Sequence, residues 1–271
     1  MGMTILVLAA TGKTGRRLVP QLRADGNEVR AASRSGEARF DWNEPETWAA
    51  VLAGVRAVYL VAPEDPEPVE AFVAQAVRAG VERFVVLSGR ELEQAEGRFG
   101  GEMLAAERAV AASGVGWTVL RSNNFNQNFD EYTWREPLLA GRLGLPIGAT
   151  GEPFIDTQDV AEVAALALTE AGHFGQVYEL SGPESLTFGE AVRMISAALG
   201  RPIEYVELTP AEYEAELLAE GFPAEVAGAL GGMFEMMREG LITTPTDTVE
   251  KLLGRPATTF AEYVGRVWPP H

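Results

Sequence analysis

The residues of this 271-residue chain best suited to chemistry begin near its start, in Ile5-Leu-Val-Leu-Ala-Ala-Thr-Gly-Lys-Thr-Gly15. An apolar strand, a glycine turn and a helix start, in that order, make an anion site. Gly12 lets backbone N–H groups approach phosphate oxygens, Gly15 lets helix and strand pack closely, and the helix N-terminus adds partial positive charge. Thr11, Gly12, Lys13, Thr14 and Gly15 are therefore candidate contacts of a pyrophosphate. Ala9 stands where the first glycine of a dinucleotide fingerprint is expected, so an unliganded β-to-α turn is the competing reading. Gly12-Lys13-Thr14 also copies the end of a P-loop, but that motif needs glycine at position 7, where Val7 lies inside the strand.

The next chemical position is the end of the second strand, about 20 residues on, where a carboxylate grips the free 2′-hydroxyl of NAD. Here the residues are Ser33-Arg34-Ser35, with Arg39 close behind. A guanidinium in place of an acid suits a 2′-phosphate through charge-assisted bidentate bonds, which favours NADP over NAD. The alternative is a solvated surface arginine.

These positions need a scaffold, and the first 122 residues supply its pattern. Short β-branched runs at Ile5–Ala9, Glu28–Ser33, Ala57–Val61, Arg83–Ser88 and Trp117–Arg121 alternate with helical segments, as in βαβ units around a parallel sheet. Gly26, Gly80 and Gly114 sit where helix C-caps are expected. Pro20 should remove a hydrogen bond from the first helix and kink it. Further on, Gln176–Leu180 and Ile203–Val206 read as strands. Thr187 with Glu190, Thr209 with Glu212 and Thr259 with Glu262 have capping-box spacing, and Pro210 takes the first helical position. The expected architecture is an α/β, Rossmann-type doubly wound parallel sheet over 1–181, with 123–154 contributing to the substrate cleft. A smaller mixed α/β lobe over 182–271 serves as the lid.

Composition removes several function classes. With no Cys, a disulfide framework, a thiolate metal site and a cysteine nucleophile are excluded, and a reducing cytoplasm is the expected location. The N-terminus does not read as a signal peptide, and no run of 18 apolar residues exists. A net charge of −17 without a basic stretch makes nucleic acid and anionic membrane poor partners. The two histidines, His173 and the terminal His271, give a histidine metal site no support.

The chain resembles the NmrA-like branch of the atypical short-chain dehydrogenase/reductases, nearest to bacterial relatives of the ergot-alkaloid iminium reductases. The resemblance rests on Ala10-Thr-Gly-Lys-Thr-Gly15, Ala31-Ala-Ser-Arg34, Phe40-Asp-Trp42, Tyr59-Leu-Val-Ala-Pro63, Val85-Val-Leu-Ser88, Trp117-Thr-Val-Leu-Arg121, Asn126-Gln-Asn-Phe129 and Phe154-Ile-Asp-Thr-Gln-Asp-Val160 in that order. It implies Asp41 and Trp42 near the adenine, Leu60, Val61 and Ala62 under the ribose and nicotinamide, and Ser88 facing the cleft. Trp42 is equally explained as a packed aromatic.

Typical members of the wider superfamily protonate a reduced carbonyl with a Tyr and a Lys four residues later. Here the residues four after Tyr59, Tyr132, Tyr178, Tyr205, Tyr213 and Tyr263 are Pro63, Glu136, Gly182, Thr209, Leu217 and Val267, and Lys13 and Lys251 are the sole lysines. Iminium, quinone and hydroxylated ketone acceptors do not need that pair. Ser88 or water is the candidate proton relay, with Tyr132 and Glu102 as weaker candidates. Asn124 and Asn128 are candidates to orient substrate or the nicotinamide amide. Trp134, Phe125, Phe129, Met233, Phe234, Met236 and Met237 are either pocket lining or helix core. Two classes follow: an NADPH-dependent reductase of a sizeable aromatic or polycyclic molecule, or a non-catalytic NADP-binding sensor acting through a protein partner.

Overall fold

The computed structural model describes residues 3–95, 97–131 and 134–268. Its strands are β1 (Thr4–Val7), β2 (Glu28–Ser33), β3 (Ala38–Arg39), β4 (Ala57–Val61), β5 (Arg83–Gly89), β6 (Gly116–Ser122), β7 (Arg142–Leu145), β8 (Gly151–Glu152), β9 (Gln176–Leu180), β10 (Leu186–Thr187) and β11 (Glu204–Glu207). The helices are α1 (Gly15–Ala24), α2 (Trp48–Leu52), α3 (Val69–Arg78), α4 (Gly101–Ala111), α5 (Arg135–Ala140), α6 (Thr157–Thr169), α7 (Phe188–Ala198), α8 (Pro210–Ala219), α9 (Ala224–Arg238), α10 (Thr248–Leu253) and α11 (Phe260–Val267).

Seven strands form one sheet in the order β3-β2-β1-β4-β5-β6-β9, and every neighbouring pair is parallel. The order reverses beside β1, which is the switch point where ligands bind outside the carboxyl ends of the strands. Burial on both faces explains the unbroken apolar runs. Along β1, Ile5 and Val7 pack with α1 and α6 residues such as Leu18 and Val160, whereas Leu6 joins Phe40, Trp48 and Phe72 on the opposite face.

A third apolar cluster lies apart from the sheet. It joins Phe129, Trp134 and Phe154 to Phe188, Phe234 and Phe260, with Phe129 and Phe154 edge-on at 5.2 Å. Two small ladders frame it: β7 pairs with β11 in parallel, and β8 pairs with β10 antiparallel. All three expected capping boxes form, at Thr187, Thr209 and Thr259. Gly26, Gly80 and Gly114 take positive φ, as C-caps do. Pro20 lies inside α1, and the helix continues past it to Ala24. No described helix is long and apolar enough to cross a membrane.

Candidate active site

The glycine turn that follows β1 is built on strain and close approach. Ala9 has φ of 50°, so the residue at the missing first glycine adopts the left-handed turn, at a cost of roughly 1 kcal/mol. The Gly12 N–H donates to the Ala9 carbonyl at 2.8 Å. A Cβ on Gly15 would lie 2.3 Å from that carbonyl oxygen and 2.8 Å from Ala10 Cα, so α1 can seat against β1 only with glycine there. Thr14 is buried and accepts a 3.0 Å hydrogen bond from the Tyr59 hydroxyl. Thr14 and Gly15 thus support the turn from behind, and neither lines the cavity on which it opens.

The turn opens on a cavity of about 560 Å³ at the carboxyl ends of β1, β2 and β4. Thr11, Gly12, Ser33, Arg34, Asp41, Trp42, Val61 and Ala62 all line it. Ser33 Oγ is buried with no hydrogen-bond partner, a state that costs about 1–3 kcal/mol unless a ligand supplies one. Arg34 is exposed at the rim, but Arg39 is turned onto Glu44, with Nη2 2.8 and 2.6 Å from its carboxylate oxygens. Arg39 is not among the residues that line the cavity. Trp42 serves both readings, since it lines the cavity and packs edge-on against Phe40 at 5.1 Å and Phe72 at 5.0 Å. Leu60 is fully buried in the core behind, a correction to its expected place under the nicotinamide. Alternation turns Val61 to the face opposite Leu60, and Ala62, just past the end of β4, also lines the cavity.

A glycine cradle, an orphan hydroxyl and a rim guanidinium fit a dinucleotide carrying a 2′-phosphate.

A second cavity of about 460 Å³ adjoins the first, and Glu64 lines both. Lys13, Ser88, Arg90, Glu102, Asn124 and Asn128 supply its polar wall. Phe125, Trp134, Met233 and Met236 supply apolar wall, as expected for a pocket. Phe129, Phe234 and Met237 do not line it and are buried in the third cluster.

Ser88 Oγ donates to Glu107 Oε1 at 2.5 Å, and Glu107 in turn holds Arg121 at 2.6 Å. With its hydrogen committed to Glu107, Ser88 offers the cavity acceptor lone pairs. Tyr132 lies outside the described residues. None of the five described tyrosines lines this cavity: Tyr59 bonds Thr14, Tyr178 bonds His173, Tyr205 bonds Glu207, Tyr263 bonds Asp130, and Tyr213 packs on Phe234.

A polar chain runs along the cavity floor. Lys13 Nζ donates to Asn128 Oδ1 at 2.6 Å, and Asn128 Nδ2 donates to Asn124 Oδ1 at 3.4 Å. The Asn124 N–H and Asn123 Nδ2 each donate to Glu152 Oε1 at 2.9 Å. Buried Arg90 donates to Asn123 Oδ1 at 2.7 Å and to the Thr244 carbonyl at 3.1 Å, tying the floor to the segment before α10. Burial, reinforced by Arg16 and opposed by Asp130, pushes the Lys13 ammonium down to about 8. Glu152 is fully buried with Oε2 unpartnered, and burial pushes it up to about 7 against the two amide donors. Arg90 and Glu152 escape sequence reasoning. Arg90 stands at the carboxyl edge beside Ser88, a signal that could have found it, whereas nothing marks Glu152.

A family model described as the NmrA-like family matches residues 1–264. The chain is 33% identical over 280 residues to an NAD(P)H azoreductase of Xenophilus azovorans, covering 96% of each. It is 32% identical over 294 residues to festuclavine synthase I of Penicillium roqueforti, covering 98% of this chain and 100% of that one. Its fold matches the crystal structure of the Citrobacter sp. triphenylmethane reductase complexed with NADP(H), with a TM-score of 0.81 and 23% identity over 98% of this chain and 100% of that chain.

Proposed function

The chain belongs to the NmrA-like family, and from that premise we propose that it is an NADPH-dependent reductase passing hydride to a ketone, iminium or quinone of an aromatic or polycyclic small molecule. It is an oxidoreductase of the NAD(P)H-dependent kind. The observation that carries the finer reading is the meeting of two unlike cavities at Glu64: a mixed, more polar one with the glycine turn, Ser33 and Arg34, and a largely apolar one with Ser88, Asn124 and Lys13. A dinucleotide laid from the first toward the second brings its reactive end to the apolar side.

In this reading Gly12 and the α1 N-terminus hold the pyrophosphate, Arg34 the 2′-phosphate, Ser33 a ribose or phosphate oxygen, and Trp42 the adenine face. When bound, NADPH supplies hydride from its nicotinamide, and the protein supplies orientation. Ser88 accepts a hydrogen bond from the carboxamide or the substrate. Asn124 fixes orientation from the floor, its own amide held by Met237 Sδ at 3.4 Å. Leu230, Met233, Met236 and Ile242 of the 182–271 lobe close the apolar side over an aromatic substrate and exclude water.

The test is NADPH consumption at 340 nm with aromatic azo compounds, naphthoquinones, cyclic iminium ions and hydroxylated aromatic ketones. Turnover of at least one class with NADPH preferred over NADH is expected. Tight NADPH binding with no turnover of any class would instead support the sensor reading, which the absence of a described tyrosine from the cavity favours.

A further inference from the structure

An acceptor such as an azo group or a ketone must gain a proton as well as a hydride, and the usual phenol is missing from the cavity. The candidates on its polar wall differ in what they can release. Ser88 has committed its hydrogen to Glu107. Asn124 and Asn128 do not titrate in the working range. Arg90 is a guanidinium, which does not give up its proton in proteins. Glu64 is exposed and meets the cavity where it joins its neighbour, and Glu102 is half-buried in the first turn of α4 with no positioning partner like the one Asn128 gives Lys13 among the described hydrogen bonds. Lys13 is a part-buried ammonium with its Nζ fixed 2.6 Å from Asn128 Oδ1, on the wall that Ser88 and Asn124 share.

We propose that Lys13 is the proton donor of the cleft, with Asn128 as the residue that positions its ammonium. The proposal rests on the reductase reading. For an azo acceptor, hydride from NADPH forms an N–H bond at one nitrogen while the π pair moves to the other. That second nitrogen takes a proton from Lys13, whose N–H bond breaks to leave a neutral amine. The amine regains a proton from water after turnover. The balance is NADPH + H⁺ + N=N giving NADP⁺ + HN–NH. An iminium acceptor is already cationic, becomes a neutral amine on taking hydride, and needs no proton.

The surroundings let the amine cycle near neutrality. Arg16 of α1 acts on it as a like charge, Arg17 donates to the Lys13 backbone carbonyl, Glu131 pairs to both arginines, and Asp156 and Arg266 act on Arg17. Asp130, bonded by Tyr263, acts on it as an opposite charge, and Glu64, Glu102 and Arg90 line the same cavity. Desolvation outweighs these acids and lowers the proton affinity of Lys13 to about 8.

The chain holds just two lysines, so side-chain ¹⁵N or ¹³C labelling gives two signals. In the wild-type protein without nucleotide, one signal should titrate near 8 and vanish in Lys13→Arg. A Lys13 signal that titrates at the ordinary lysine value of about 10.4 would overturn the proposal.

The second arm compares one aromatic azo compound with one N-alkyl dihydroisoquinolinium ion, alongside NADPH affinity by calorimetry. Any cost of Lys13→Arg to cofactor binding is common to both acceptors. The ratio of azo to iminium single-turnover rates should fall about 10²–10⁴-fold, because arginine keeps the charge but releases no proton. Asn128→Ala should lower the same ratio by a smaller factor and shift the Lys13 titration. An unchanged ratio in Lys13→Arg would mean that the residue serves only as a cation toward phosphate. If wild type reduces neither acceptor, the reductase reading falls and this proposal with it.

Discussion

Replacing Gly15 by Ala tests whether the turn between β1 and α1 is a built phosphate cradle or an ordinary connection. The new Cβ would stand 2.3 Å from the Ala9 carbonyl oxygen. Restoring an ordinary contact of about 3.4 Å requires α1 to retreat by roughly 1 Å from β1. That retreat loosens Leu18, Val19 and Leu22, which α1 buries. Overpacking of this kind costs about 1–3 kcal/mol, less up to about 1 kcal/mol returned by the helix preference of Ala over Gly. A net loss of about 1–2 kcal/mol in urea unfolding is expected. NADPH affinity should fall tenfold or more, since the N–H groups at the start of α1 withdraw from a charged ligand and one such contact is worth roughly 1.5–3 kcal/mol. Gly228→Ala in α9 is the control: its Cβ would meet nothing within 4 Å, so stability should rise by about 0.5–1 kcal/mol with unchanged binding. If Gly15→Ala behaves like that control in both assays, the cradle argument is wrong.

Arg34→Ala should weaken NADPH by tenfold or more while leaving NADH nearly unaffected in calorimetry, and equal losses would remove the 2′-phosphate assignment. Glu152 binds a proton more tightly folded, at about 7, than its ordinary 4.5, so its contribution is full below about 4.5 and is lost as pH rises through about 7. Wild type should therefore lose roughly 3 kcal/mol from this group across that window, and Glu152→Gln, read by urea midpoints, should show a correspondingly flatter profile. Ala9→Gly relieves the φ of 50° and should raise stability by up to about 1 kcal/mol in thermal unfolding with NADPH affinity retained.

The sheet was legible because its strands are buried on both faces and read as continuous apolar runs between glycine caps. β2, β4 and β9 fall on the residues their patterns predict. The short ladders were not: Ala38–Arg39, Gly151–Glu152 and Leu186–Thr187 are two residues each, too brief for a period to show. At the site, residues fixed by backbone geometry, such as Gly12 and Gly15, announce themselves by type. Side-chain commitments do not. Arg39 and Arg34 look alike in sequence, yet one is taken by Glu44, and the Ser88 hydroxyl is turned to Glu107 by a residue nineteen positions away. The floor linking Arg90, Asn123 and Glu152 is assembled from three separate connections, so no local pattern encodes it.

The most direct test of hydride transfer between the two cavities is single-turnover oxidation of bound NADPH deuterated at C4, using each of its two epimers with an accepted quinone, azo or iminium compound. A fixed orientation over the wall of Ser88 and Asn124 predicts that one epimer slows the reaction and delivers deuterium to the product, while the other does neither. Equal rates and equal transfer from both epimers, or bound NADPH that no acceptor oxidises, would contradict the account.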